Sequence, residues 1–132
     1  MVKIIIYEDG DEDLIDRYSH LTKEYDIHVR YTSTAFWNIE RFRRNGFNPD
    51  NFIDIGEISE KEDADIYFLD GLGGHCFNVI KFKNLPKERV FINTNSKYVN
   101  ENAKRMGFNI VGNRRVEDIV KLVVEQIREG KK

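Results

Sequence analysis

The sequence predicts a doubly wound α/β domain, and three observations carry that expectation. Short β-branched runs alternate with segments whose apolar residues recur at helical spacing, the pattern of successive βαβ units. The runs are continuously apolar rather than alternating, as strands buried on both faces of a parallel sheet are. The chain has 132 residues, 40% of them hydrophobic, with nine Phe and six Tyr to bury, which suits one domain with its own core. Residues 1–130 are read as that domain, and Lys131 and Lys132 as a frayed tail.

In chain order, Val2 to Tyr7 (VKIIIY) is the first strand, stopped by Glu8-Asp9-Gly10-Asp11. From Asp11 to Glu24, Leu14, Ile15, Tyr18 and Leu21 fall at helical spacing with acids in the first turn. Ile27 to Tyr31 reads as the second strand. Ser33 or Thr34 can cap the next helix, which carries Ala35, Phe36, Ile39 and Phe42 and stops before Gly46. Residues 47–63 are the least legible; Phe52-Ile53-Asp54-Ile55 fits either a short extra strand or a packed loop. Ala64 to Leu69 (ADIYFL) is the third main strand, ended by Asp70-Gly71. Cys76 to Phe82 is a candidate helix, and Leu85-Pro86 precedes the fourth strand, Arg89 to Asn93 (RVFIN). Ser96 caps a helix running to Met106 and closed by Gly107, and Phe108 to Val111 is the fifth strand. The last helix, Val116 to Arg128, sets Val116, Ile119, Val120, Val123, Val124 and Ile127 on one stripe. About five such units fit a flavodoxin-like sheet in the order 2-1-3-4-5, with helices on both faces.

Bulk properties exclude several function classes. The formal net charge is −2, so no global field draws the chain to nucleic acid or anionic lipid. Its apolar runs are too short to span a bilayer, and no charged-then-apolar leader precedes Val2. The single cysteine, Cys76, rules out an internal disulfide and a cysteine-based zinc site. A cytosolic location is expected by elimination.

In open α/β sheets, ligands bind beyond the carboxyl ends of the strands, where strand order reverses. There the sequence places Glu8 and Asp9 after the first strand, Asp70 after the third and Thr94 after the fourth. Three adjacent carboxylates would raise one another's pKa unless a cation neutralised them, and a hard divalent ion, Mg²⁺ foremost, suits oxygen donors. Gly71, lacking a Cβ, lets a ligand or loop approach Asp70. Taken singly, each acid is better read as a helix cap; taken together, the three point to a site.

This ordered set resembles the receiver domain of two-component response regulators. The acidic pair is Glu8-Asp9 in IIIYEDGDEDL, the phosphoacceptor Asp70 in ADIYFLDG, and the Thr or Ser after strand four is Thr94 in VFINTNS. AKRMGFNIV looks like the family's passage from the fourth helix into strand five. The resemblance implies that Asp70 accepts a phosphoryl group. Mg²⁺ would be held by Glu8, Asp9, Asp70 and the backbone carbonyl of Leu72, with Thr94 bonding a phosphoryl oxygen. The Lys that receivers carry after strand five is replaced by Gly112-Asn113-Arg114-Arg115, where ungapped counting selects Arg114 and a shifted loop Asn113. The family's strand-five aromatic falls on Ile110 or Val111, leaving Phe108 nearby. The implied function is a stand-alone signalling domain working with a histidine kinase or a downstream protein target. The alternatives are a phosphorylation-independent interaction module, a small Mg²⁺-dependent phosphohydrolase, and a flavodoxin-like ligand binder.

Other features carry blander readings. Gly71-Leu72-Gly73-Gly74 lacks the Lys-Ser/Thr of a phosphate loop and is read as flexible chain. His75 is read as a surface residue, His20 and His28 as structural, and Cys76 as a buried thiol. Arg41, Arg43 and Arg44 beside Trp37 and Phe42 are read as a solvated helix face rather than a nucleic-acid surface.

Overall fold

Six strands form one parallel sheet in a computed structural model that describes residues 2–31, 39–54, 63–72 and 75–130. They are β1 (Lys3–Tyr7), β2 (Asp26–Tyr31), β3 (Phe52–Asp54), β4 (Ile66–Leu69), β5 (Val90–Ile92) and β6 (Asn109–Ile110). The helices are α1 (Asp11–Tyr18), α2 (Ile39–Arg44), α3 (Cys76–Lys83), α4 (Lys97–Arg105) and α5 (Val116–Gly130). Ser33, Thr34, Ala35, Phe36, Trp37, Ile55, Gly73, Gly74, Lys131 and Lys132, named above, lie outside the described residues.

The expected five-stranded order 2-1-3-4-5 is corrected to a six-stranded one, β3-β2-β1-β4-β5-β6. The ambiguous stretch at Phe52 is the added strand, pairing Val29 with Phe52, Arg30 with Ile53 and Tyr31 with Asp54. Rings fix it there: Phe52 lies 5.1 Å from Phe42 and 5.9 Å from Phe47, centroid to centroid. Such ring pairs add to the area they bury. The full order is the 3-2-1-4-5-6 arrangement of doubly wound sheets that bind dinucleotides. The first βα turn, Glu8-Asp9-Gly10, nevertheless lacks their glycine fingerprint. In either order the succession of strands reverses between β1 and β4, the strand that Asp70 follows.

Side chains divide the core into two layers because successive strand residues face opposite ways. Ile4 and Ile6 of β1, with Phe68 of β4, pack against Leu14 and Tyr18 of α1, Phe42 of α2, and Val120 and Val123 of α5. Ile5, Tyr7 and Leu69 face the other way, onto Cys76 and Ile80 of α3 and Val99 and Ala103 of α4. Helices therefore cover both faces. Among the described residues no helix is long and apolar enough to cross a membrane.

Local chemistry explains where the helices stop. Beyond α2, Gly46 takes a φ of +92°, and the N–H groups of Phe47 and Gly46 return to the carbonyls of Phe42 and Arg43. This glycine-centred closure brings an apolar pair together, here Phe42 and Phe47 edge to face at 6.1 Å. α4 repeats it with Gly107 (φ +82°), Phe108 donating to Ala103 and Gly107 to Lys104. Its start is capped as expected, the Ser96 hydroxyl accepting from the Val99 N–H at 3.2 Å. α1 ends earlier than its periodicity suggests. After Tyr18 the chain tightens into a 3-10 turn over Ser19–Leu21, held where the Thr22 hydroxyl donates to the Ser19 carbonyl at 2.8 Å.

The α5 stripe is the longest periodic signal in the sequence and a large share of one core layer. Val116, Ile119, Val120 and Val123 are buried, and Val124 and Ile127 pack partly buried beside them. Val120→Asp would bury an unpaired charge there. It is expected to lower unfolding stability by about 3 kcal/mol or more, read as a shift in the denaturant midpoint. An unchanged midpoint would remove α5 from the core.

Candidate metal and phosphoryl site

The ends of β1, β4 and β5 meet at the reversal of the sheet, and each is anchored by one more rung of backbone hydrogen bonding. The Glu8 N–H donates to the Arg30 carbonyl (3.1 Å), that of Asp70 to Tyr7 (2.9 Å) and that of Asn93 to Leu69 (2.8 Å). These residues therefore stand at fixed positions while their side chains project past the sheet edge. α1 begins at Asp11 with Gly10 as its N-cap and no side-chain cap bond.

Glu8, Asp9 and Asp70 come together as expected, offering carboxylate oxygens that all lie within 4.8 Å of one another, a set able to hold a metal ion. Glu8 is wholly buried, Asp70 half-buried and Asp9 exposed. Glu8 Oε1 accepts from the N–H groups of Asp9 (3.2 Å) and Gly10 (3.3 Å). Asp70 Oδ2 accepts from the Leu72 N–H at 3.1 Å. Burial, reinforced by the Asp70 charge, pushes the Glu8 carboxyl up to about 8. Burial and the contacts with Asp70 push Asp9 upward as well.

The cation at this cluster is one the sequence reading missed. Arg17, in the last turn of α1, aims Nη1 at Glu8 Oε2 (3.3 Å), at Asp70 Oδ1 (3.4 Å) and at the Asn93 carbonyl (3.1 Å). Its Nη2 lies 4.0 Å from Asp13. Helical side chains tilt toward the N-terminus of their helix, which is how a residue at the far end of α1 reaches back to the sheet edge. The legible signal was an arginine beside Tyr18, on the margin of the apolar stripe. Tyr18 itself is fully buried and driven upward by burial, and its hydroxyl accepts from Asn93 Nδ2 at 2.9 Å.

Arg114 lies elsewhere. Its guanidinium donates to the Ile110 carbonyl and sits 5.9 Å from the centroid of the Phe91 ring. No ion pair or hydrogen bond joins it to Asp70 among the described residues. Leu72 turns its N–H, not its carbonyl, toward Asp70; the carbonyl accepts from the His75 N–H at 3.1 Å. Leu72 also holds a left-handed φ of +49°, uncommon for a residue with a side chain. Thr94 stands beside Gly71, where an added Cβ would come 2.9 Å from the Thr94 hydroxyl. The close approach that Gly71 permits is thus made by the loop after β5.

The remaining singled-out residues have ordinary partners. His20 Nε2 pairs with Glu117 at 2.7 Å and His28 Nε2 with Asp26 at 3.0 Å. His75 is exposed at the start of α3. Cys76 is buried, its thiol pushed up to about 11 by that burial. Arg43 pairs with Glu40, and Arg41 lies 3.9 Å from Glu12, as on a solvated face.

No protein-family model, no curated protein and no solved structure matches the chain.

The raised Glu8 carboxyl has a consequence for stability. In the unfolded chain Glu8 releases its proton near 4.5, whereas the folded chain retains it to about 8. Between those values the folded state binds the extra proton, so this group's contribution to stability falls as pH rises and levels off above the upper value. At about 1.4 kcal/mol per tenfold change in proton affinity, the expected loss is a few kcal/mol. Denaturant unfolding in chelator across that window should show the decline, and Glu8→Gln should flatten it. An equally steep decline in the variant would assign it to other groups.

Proposed function

We propose that this chain is a receiver-like signalling domain in which Asp70 accepts a phosphoryl group with the help of Mg²⁺. The observation that carries the reading is the convergence of Glu8, Asp9 and Asp70 at the reversal of the sheet, within 4.8 Å of one another. The donor set is three hard carboxyl oxygens opposed by one guanidinium; burial holds the Glu8 proton up to about 8, and a further cation would favour its charged form. When bound, Mg²⁺ supplies positive charge to the transferring phosphoryl oxygens.

The chain's own residues supply the rest. The carboxylate of Asp70 attacks phosphorus, forming an acyl phosphate, while the bond from phosphorus to the donor's leaving atom breaks and the electron pair departs with it. The Leu72 N–H on Oδ2 limits rotation of the carboxylate during the attack. Thr94 lies against Gly71, the residue after the phosphoacceptor, and its hydroxyl would bond a phosphoryl oxygen. A phosphoryl group drawing Thr94 inward would shift the start of α4, since Thr94 Oγ1 accepts from the Ser96 N–H and Ser96 caps that helix. Its output would be altered binding of a protein partner, and the donor a phosphohistidine of a kinase.

A second reading is favoured by a specific observation. Arg114 is engaged by Ile110 and Phe91, and Arg17 already pairs with both Glu8 and Asp70. Such a chain can serve as an interaction module without phosphorylation.

Incubation with a small acyl-phosphate donor and Mg²⁺ separates the two. The first reading expects the mass of one added phosphoryl group, abolished by Asp70→Asn and by chelation. An unmodified wild-type protein that still binds Mg²⁺ would establish the second.

A further inference from the structure

Both oxygens of Glu8 and both of Asp70 are occupied, and the division is regular. The backbone takes one oxygen of each: Oε1 of Glu8 through Asp9 and Gly10, and Oδ2 of Asp70 through Leu72. The other oxygen of each, Glu8 Oε2 and Asp70 Oδ1, faces the same nitrogen, Arg17 Nη1. These are the two oxygens that a mobile side chain covers rather than a fixed backbone N–H, so they are where a divalent ion held by Glu8 and Asp70 would meet Arg17.

We propose that Arg17 is a tethered cation which a divalent ion must displace from Glu8 Oε2 and Asp70 Oδ1, so that Arg17 sets the cation affinity of the site. This rests on the cation-site reading given above. Two positive groups cannot share two oxygens a few ångström apart without strong repulsion, and the half-buried setting screens them poorly. Arg17 has somewhere to go: its Nη2 already lies 4.0 Å from the exposed carboxylate of Asp13, one turn earlier on α1. Its third partner, the Asn93 carbonyl, lies outside the acid pair and can keep the guanidinium near the site after it leaves the acids. Rotation of one long side chain suffices, with no shift of α1.

A purely structural Arg17 predicts the opposite sign, since losing it would loosen the carboxylates and weaken binding. The test is calorimetric Mg²⁺ titration of the wild type, Arg17→Gln and Arg17→Lys at low ionic strength. Arg17→Gln should bind Mg²⁺ about tenfold more tightly. Arg17→Lys should fall between the two, retaining the charge but not the fork that meets both acids at once. Arg17→Gln should also be less heat-stable without Mg²⁺ and gain more from saturating Mg²⁺ than the wild type does. A readout independent of any variant's folding is the guanidinium NMR resonance of Arg17 in the wild-type protein, which should move with the midpoint of the titration. Equal or weaker binding in a folded Arg17→Gln, or a resonance that stays put at saturation, overturns the competition and leaves the cation site standing. No response to Mg²⁺ in any of the three proteins overturns the cation site and the competition with it.

Discussion

Glu8 ends the central strand with none of its surface exposed, and a carboxylate in that position is the constraint around which the edge of the sheet is arranged. Removing such a group from water is costly unless its charge is neutralised or paired. Two backbone N–H groups and one guanidinium nitrogen meet part of the cost, and the raised proton affinity shows that a part remains. The surroundings of the site follow from meeting that charge. α1 is placed so that Arg17 can reach back to the strand end. The buried Tyr18 beside it is held by Asn93, and Asn93 also lends its carbonyl to Arg17. Acids, arginine and the end of β5 therefore form one connected unit.

Much of this was legible in the sequence because buried strands and amphipathic helices leave period-specific patterns. α5 and β1 are the clearest cases, since nearly every residue of the expected stripe or run is in the core. The convergence of Glu8, Asp9 and Asp70 was legible too, because a parallel sheet places successive strand ends on one edge whatever the side chains are. β3 was ambiguous for a physical reason: three residues are too few to show a period, and what fixes them is the ring cluster with Phe42 and Phe47. That missing strand is what turned the expected order 2-1-3-4-5 into 3-2-1-4-5-6.

The positive group was misplaced for a different reason. Position along the chain suggested Arg114, but charge pairing depends on side-chain direction, and an arginine on a helix can reach farther than one on a turn whose own carbonyls capture it. Arg114 is held by Ile110, four residues back. Arg17 crosses from α1 to three strand ends. Spacing in sequence carries no record of that difference, whereas the tilt of helical side chains does. The turn at Leu72, which holds a left-handed φ, gives its N–H to Asp70 and its carbonyl to the His75 N–H.

The rungs that continue the sheet past the ends of its strands bear on time as well as on position. Glu8, Asp70, Asn93 and Val111 each donate an N–H to a carbonyl at the end of the neighbouring strand, those of Arg30, Tyr7, Leu69 and Ile92 respectively. These four amides belong to the cooperative unit of the sheet and should give up their hydrogens to solvent only when that unit opens. The exposed side chain of Asp9 is free of that clock, since rotamer changes of exposed residues occur within nanoseconds. The edge of this sheet thus couples a backbone that exchanges slowly to a charged group that rearranges quickly, so whatever arrives there meets a scaffold that is effectively static for the duration of the encounter.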